Sequence, residues 1–136
     1  MDLDDALRFL RANHRSVIVT RKRNGDPQLS PVNHGVDDQG RVCISSREPA
    51  YKVRNLRRDP RASLCAVPDG FFGEWVQADG RATIVPLPDA LPMLEEYYRR
   101  VSGEHPDWDD YRAAMVRDQR LIIAITATTA GPNRAG

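Results

Sequence analysis

The chain has 136 residues, and its 20 basic and 19 acidic side chains leave a net charge of +1. This length suits one domain with a core of its own, and the balance of charge excludes the basic surface typical of general nucleic-acid or membrane-surface binders. No apolar run is long enough to span a bilayer, and residues 1–5 are acidic where a secretory signal is basic. The sequence therefore predicts one cytoplasmic domain over residues 1–136, with a flexible tail over 130–136.

In chain order, the residue patterns predict a helix over 3–12, strands over 16–20, 28–36 and 41–46, a helix over 51–58, strands over 62–67 and 75–85, helices over 89–101 and 107–117, and a strand over 121–125. Asn24-Gly25 is a strong hairpin signal, and Pro27 and Pro31 are typical of an edge or bulged strand. Gly80, inside a strand, indicates a bulge or a close approach. Consecutive hairpin-linked strands predict an α+β fold that is mainly β: an antiparallel sheet that closes or nearly closes into a small barrel, with flanking helices.

Histidine and cysteine, which often carry chemistry, are scattered along the chain. His14, His34 and His105 are too far apart for a metal-ligand motif, and His34 is the best placed of them for a role in a pocket. Cys43 and Cys65 lie in strand-like runs and are predicted to be small buried apolar residues. The sequence thus predicts no metal site and assigns no catalytic residue.

The segment 45–58 combines hydroxyls with cations. Ser45 and Ser46 end a strand, and the short helix that follows carries Lys52 and Arg54. Hydroxyls, helix-start amides and an ammonium together suit a phosphate group. A solvated basic helix face fits the same pattern, and the pattern alone favours neither interpretation. The cluster lacks interleaved aromatic residues, which argues against nucleic-acid binding.

Three segments carry a resemblance to a known superfamily: residues 25–32, residues 45–63, and residues 103–112 with Met115 after them. Together they resemble the split-barrel flavin-binding superfamily that includes pyridoxamine 5′-phosphate oxidase, over nearly the whole chain. The third segment is similar to the actinobacterial branch that uses the deazaflavin coenzyme F-420. The resemblance implies a split β-barrel and a homodimer with two cofactors at its interface.

The resemblance also implies which residues bind the cofactor. Residues of the hairpin return strand would lie along the tricyclic ring and offer it backbone groups: Gln28, Leu29, Ser30, Pro31 and Val32. Ser45, Ser46 and Lys52 would hold the phosphate. Relatives often carry an arginine one or two residues before this lysine, where this chain has Ala50 and Tyr51. Either Arg47 or Arg54 compensates for that arginine, or the affinity for phosphate is lower.

The activity implied by the resemblance is transfer of hydride from reduced coenzyme F-420 to a small unsaturated organic acceptor. The alternatives are an FMN-dependent oxidoreductase of the same fold and a flavin- or deazaflavin-binding protein without turnover. Pyridoxamine 5′-phosphate oxidase activity is disfavoured, because those enzymes are longer and end in an Arg-bearing segment, whereas this chain stops soon after Thr129. Tyr51 and His34 are the candidate proton donors if the pocket reaches them.

Overall fold

The computed structural model describes residues 1–132 and contains four helices and seven strands within them. In chain order these are α1 (Leu3–Ala12), β1 (Arg15–Arg21), β2 (Pro27–Asn33), β3 (Gly35–Val36), β4 (Val42–Arg47), α2 (Tyr51–Arg58), β5 (Arg61–Val67), β6 (Val76–Val85), α3 (Ala90–Ser102), α4 (Trp108–Arg117) and β7 (Arg120–Gly131). The tail was predicted to begin too early, because Ala130 and Gly131 belong to β7. The rest of that prediction, residues 133–136, lies outside the described residues.

The seven strands form one antiparallel sheet in the order β2-β1-β5-β6-β7-β4-β3. The sheet curls into a half-barrel with the four helices beside it, which confirms the predicted fold class. The predicted strand over 28–36 is two strands, because the chain leaves the β1 ladder at His34. There the His34 amide donates to the His14 carbonyl at 2.9 Å, and the side chain turns into the core.

Strand β7 is the centre of the core because its first half is buried on both faces. Leu121, Ile123 and Ile125 face the inside of the curled sheet, with Ile18, Leu64 and other buried residues. Ile122 and Ala124 face the other way and pack under α3 and α4, against Leu94 and Tyr111. The uninterrupted apolar run over residues 121–125 therefore matches a strand covered on both sides. Cys43 is buried in this second cluster as predicted, whereas Cys65 is only half-buried.

The edge strand and the bulge predicted from proline and glycine are both confirmed. β2, which contains Pro27 and Pro31, is a terminal strand of the sheet and pairs with β1 alone. Proline is tolerated there because an edge strand does not need every amide for pairing. The ladder between β6 and β7 shifts register between Asp79 and Gly80, where the two backbones come close.

A buried amide side chain fixes helix α2 across the first hairpin. Asn55 Nδ2 donates to Thr20 Oγ1 at 3.1 Å and to Gln28 Oε1 at 2.6 Å, and Arg58 donates to Asn55 Oδ1 at 3.0 Å. Residues three apart on a helix share a face, so this anchor directs Lys52 toward β2 as well. The hydrogen bonds of Asn55 therefore set the position of the one lysine that the sequence analysis assigned to phosphate.

Candidate functional site

A groove of about 560 Å³ opens where β2 and β4 approach each other without pairing. One wall is the end of β2, with Pro31, Val32 and Asn33, and the opposite wall is the end of β4 and the turn into α2. Residues of α3, α4 and the start of β7 complete the lining. The site thus lies at the seam where the sheet fails to close.

One end of the groove is cationic. Arg47, Lys52 and Arg120 line it, and none of the described residues that line it is Asp or Glu. Lys52 Nζ donates to Ser30 Oγ at 3.2 Å, which joins α2 to β2 across the opening. Burial, and then the charge of Arg120, lower the pKa of Lys52. Three positive charges without a lining carboxylate make this end a receptor for an anion.

Arg120 belongs to this cationic end although the sequence analysis did not single it out. It is the first residue of β7 and pairs in register with Arg47, the last residue of β4. Its Nε is buried, and no described residue offers that N–H an acceptor. A usable signal is the cation that begins an otherwise apolar strand, but only the pairing of β7 with β4 brings Arg120 beside Arg47 and into the lining that it shares with Lys52.

The aromatic end of the groove comes from the two late helices and adjoins Arg120, whose charge acts on Tyr97 and Tyr111. Tyr97 and Tyr98 of α3 and Tyr111 and Met115 of α4 form it. The Tyr97 hydroxyl donates to the Asn33 carbonyl at 3.1 Å, and the Tyr111 hydroxyl donates to Leu94 O at 2.8 Å. Burial raises the pKa of Tyr97, and it raises the pKa of Tyr111 to about 12. Both phenols therefore keep their protons at neutral pH.

The segment that resembles the deazaflavin branch, residues 103–112, builds this aromatic end. Asp107 caps α4 by accepting from the Asp110 amide at 3.1 Å. Tyr98 packs edge-on against His105, Trp108 and Tyr111, with ring centres 4.9, 5.8 and 5.1 Å away. This ring cluster sets the position of Tyr98 and Tyr111 on the groove wall.

The structure brings together most of the residues proposed for the cofactor, but not all of them. Six line the groove: Pro31, Val32, Ser45, Ser46, Arg47 and Lys52. Ser30 reaches it through its hydrogen bond with Lys52. The Gln28 side chain accepts a hydrogen bond from Asn55 instead of lining the groove. Leu29 has 60% of its surface exposed and does not line the groove either. Arg54 is exposed and does not line the groove, so Arg47 is the better placed of the two arginines named for phosphate.

The two candidate proton donors both lie away from the groove. Tyr51 is 69% exposed and His34 is completely buried, so the expectation that His34 serves a pocket is wrong. His34 Nε2–H donates to Leu10 O at 3.0 Å, and Nδ1 accepts the Ser16 hydroxyl at 2.6 Å. Burial lowers the pKa of His34 to about 4, so the ring is a neutral link between α1 and β1 at physiological pH.

Within residues 1–132, no helix combines the length and apolar character that crossing a membrane requires. Nor does this part of the chain contain a group of His, Cys, Asp and Glu side chains that could hold a metal ion.

The chain is similar to a known family and to several solved structures. The family described as pyridoxamine 5′-phosphate oxidase matches residues 3–132. A conserved hypothetical protein from Mycobacterium tuberculosis is 24% identical with a TM-score of 0.76, and the match covers 96% of this chain and 82% of that one. An F420 reductase is 18% identical with a TM-score of 0.71, covering 91% and 94%. A FAD-binding protein from Mesorhizobium loti is 16% identical with a TM-score of 0.65, covering 96% and 90%. At these identities the three structures show a shared fold.

Proposed function

The chain belongs to the pyridoxamine 5′-phosphate oxidase family, and from that premise we propose that it is an oxidoreductase with a flavin-type cofactor in the groove between β2 and β4. The more specific proposal is coenzyme F-420 as hydride donor to a small unsaturated organic acceptor. The observation that carries the proposal is the cationic end of the groove, which has no carboxylate among its described lining residues. A phosphate-bearing cofactor supplies the missing negative charge.

The residues of the groove fit such a cofactor. Lys52 provides a compact ammonium, and Ser45 and Ser46 provide hydroxyls at the end of β4. The first turn of α2 has no side-chain cap, and Ala50 at its start lines the groove, so free amides are available beside it. Pro31 and Val32 of the edge strand β2 form a groove wall against which a ring can lie. The cofactor supplies the hydride when bound, and the chain supplies position and electrostatics.

Two observations favour the deazaflavin over FMN. The segment over residues 103–112, which resembles the deazaflavin branch, forms part of the groove through Tyr111. One of the structures that share the fold is an F420 reductase. FMN remains the alternative, because its terminal phosphate suits the same cationic end.

Titration of the purified protein with coenzyme F-420 and, separately, with FMN tests the proposal through fluorescence. We expect micromolar or tighter binding of coenzyme F-420 and weaker binding of FMN. Tighter binding of FMN than of coenzyme F-420 would support the FMN alternative. If the protein binds neither compound, the proposal of a flavin-type cofactor is contradicted. If acceptors added to the reduced complex cause no spectral change, the protein binds the cofactor without turnover.

Replacement of Lys52 with alanine is expected to weaken cofactor binding by about ten- to a hundredfold, the effect of losing one charge-assisted hydrogen bond. Stability should change by less than about 0.5 kcal/mol, because Lys52 is not part of the apolar core. The matched control is Lys22→Ala, which removes the exposed lysine of the hairpin turn and should change neither quantity. If Lys52→Ala binds the cofactor as tightly as the wild type, the proposal that the cationic end binds the cofactor phosphate is contradicted.

We also propose that the protein is a homodimer formed through the outer face of the sheet. The register of β2, β1 and β5 places Pro31, Val17 and Cys65 side by side, with Leu29 and Val19 in the next row. This apolar strip is partly exposed and reaches the groove through Pro31. Sedimentation should give a dimer for the wild type and a monomer for Val19→Glu, and a monomeric wild type at micromolar concentration would refute the proposal.

A further inference from the structure

We propose that Arg120 is the arginine that binds phosphate in this chain, together with Lys52, in place of the arginine absent at positions 50 and 51. The inference deepens the proposed function, and its cofactor part rests on that function. Its anion part stands on the geometry of Arg120 alone.

Strand pairing places Arg120 at the cationic end of the groove. In the β4–β7 ladder Arg47 pairs with Arg120 and Ser46 pairs with Leu121, so the guanidinium leaves β7 beside the end of β4. Arg120 lines the groove together with Lys52 and Ser46. Its charge also contributes to the lowered pKa of Lys52. A lysine and an arginine thus converge at one end of the groove from two elements far apart in the sequence.

The hydrogen bonding of the Arg120 guanidinium indicates that this side chain binds a ligand. An arginine stays charged at every ordinary pH, and its buried Nε–H has no acceptor among the described residues. A buried donor without an acceptor destabilises a fold, and an apolar side chain of similar size would avoid that cost. A phosphate oxygen would satisfy the Nε–H, since the guanidinium fork matches phosphate geometry.

The other arginines near the groove are less suited. Arg57 is held by Glu48 at 2.6 Å, and Arg58 donates to Asn55 and to the Arg21 carbonyl. Arg54 is exposed and does not line the groove, while Arg47 lines the groove but is exposed. Arg120 therefore combines a buried Nε–H that is an unused donor with a place in the lining.

Two pairs of ligands that differ in the phosphate test the inference: FMN with riboflavin, and coenzyme F-420 with its phosphate-free deazaflavin nucleoside. Arg120→Met should weaken binding of the phosphorylated member by about ten- to a hundredfold and leave the other member within about twofold. The control Arg54→Met should change neither. Because the Nε–H has no partner, ligand-free Arg120→Met should melt at or above the wild-type temperature. Inorganic phosphate alone should raise the melting temperature of the wild type but not that of Arg120→Met.

The outcomes separate this inference from the proposed function. Equal loss of both members of a ligand pair, or unchanged binding of FMN, coenzyme F-420 and inorganic phosphate, would overturn the role of Arg120. If the wild type binds no flavin or deazaflavin while the effect of inorganic phosphate still depends on Arg120, the anion site stands and the proposed function falls. Arg120→Lys, which keeps the charge without the fork, should recover part of the lost affinity and guards against a variant that fails to fold.

Discussion

Replacement of Gly80 with alanine is expected to lower the free energy of unfolding by at least about 3 kcal/mol. A Cβ at this position would lie 2.0 Å from the Thr126 carbonyl oxygen and 2.9 Å from the Ala127 Cα. Both neighbours are backbone atoms of β7 just beyond its buried first half, where β7 is paired with β6, so relief requires moving paired backbone. Urea unfolding followed by circular dichroism measures the loss.

The control for this variant is Gly70→Ala in the turn between β5 and β6. A Cβ at Gly70 meets no atom within 4 Å, and its φ is not in the left-handed region. This variant should therefore stay within about 0.5 kcal/mol of the wild type. A loss below about 1 kcal/mol for Gly80→Ala would show that β7 yields easily and would contradict the close approach.

Acidification from pH 7 to pH 4 is expected to reduce stability by up to about 3 kcal/mol through His34 alone. Burial lowers the pKa of this ring from 6.5 to about 4, so the unfolded chain binds a proton that the folded chain excludes between these values. The free energy of unfolding therefore carries no penalty from His34 above about pH 6.5, and it decreases as the pH falls toward 4. Urea unfolding at several pH values gives the slope.

His34→Gln should flatten this slope, whatever its effect on absolute stability. His105→Gln is the matched control, because His105 is partly exposed and lies outside the core. If His34→Gln does not fold, an NMR titration of the wild type should show the His34 ring neutral at pH 5.5. A ring that protonates near pH 6.5 in the folded protein would refute the prediction.

Local patterns in the sequence predicted most of the fold. Helix α2 begins at Tyr51 and ends at Arg58, as Asp59 and the following proline indicate, and the edge position of β2 follows from its prolines. The second half of β7 was missed because residues 126–131 are polar or small and lack an apolar alternation. They form a strand because β6 offers a long partner there, with Gln77 opposite Gly131.

The candidate site was predictable only where it is continuous in sequence. Ser45, Ser46 and Lys52 lie within one strand–helix turn, so a local pattern identifies them. Arg120 and Tyr97 reach the groove through pairing and packing between elements far apart in the chain, so no local pattern places them beside Lys52. His34 misled the sequence analysis, since a lone histidine on a strand gives no sign of which face it occupies.

The polar residues that would bind a ligand lie at the open seam between β2 and β4, apart from the strands and core that stabilise the fold. Cohesion comes from the continuous ladders of β1, β5, β6, β7 and β4 and from the core that they enclose. The cations and hydroxyls of the groove lie outside the apolar core, and Arg120, with its unused donor, opposes that cohesion. Substitutions among these polar side chains can therefore change the preferred ligand without compensating changes in the core. One stable scaffold can in this way acquire new ligands by exchange of a few side chains.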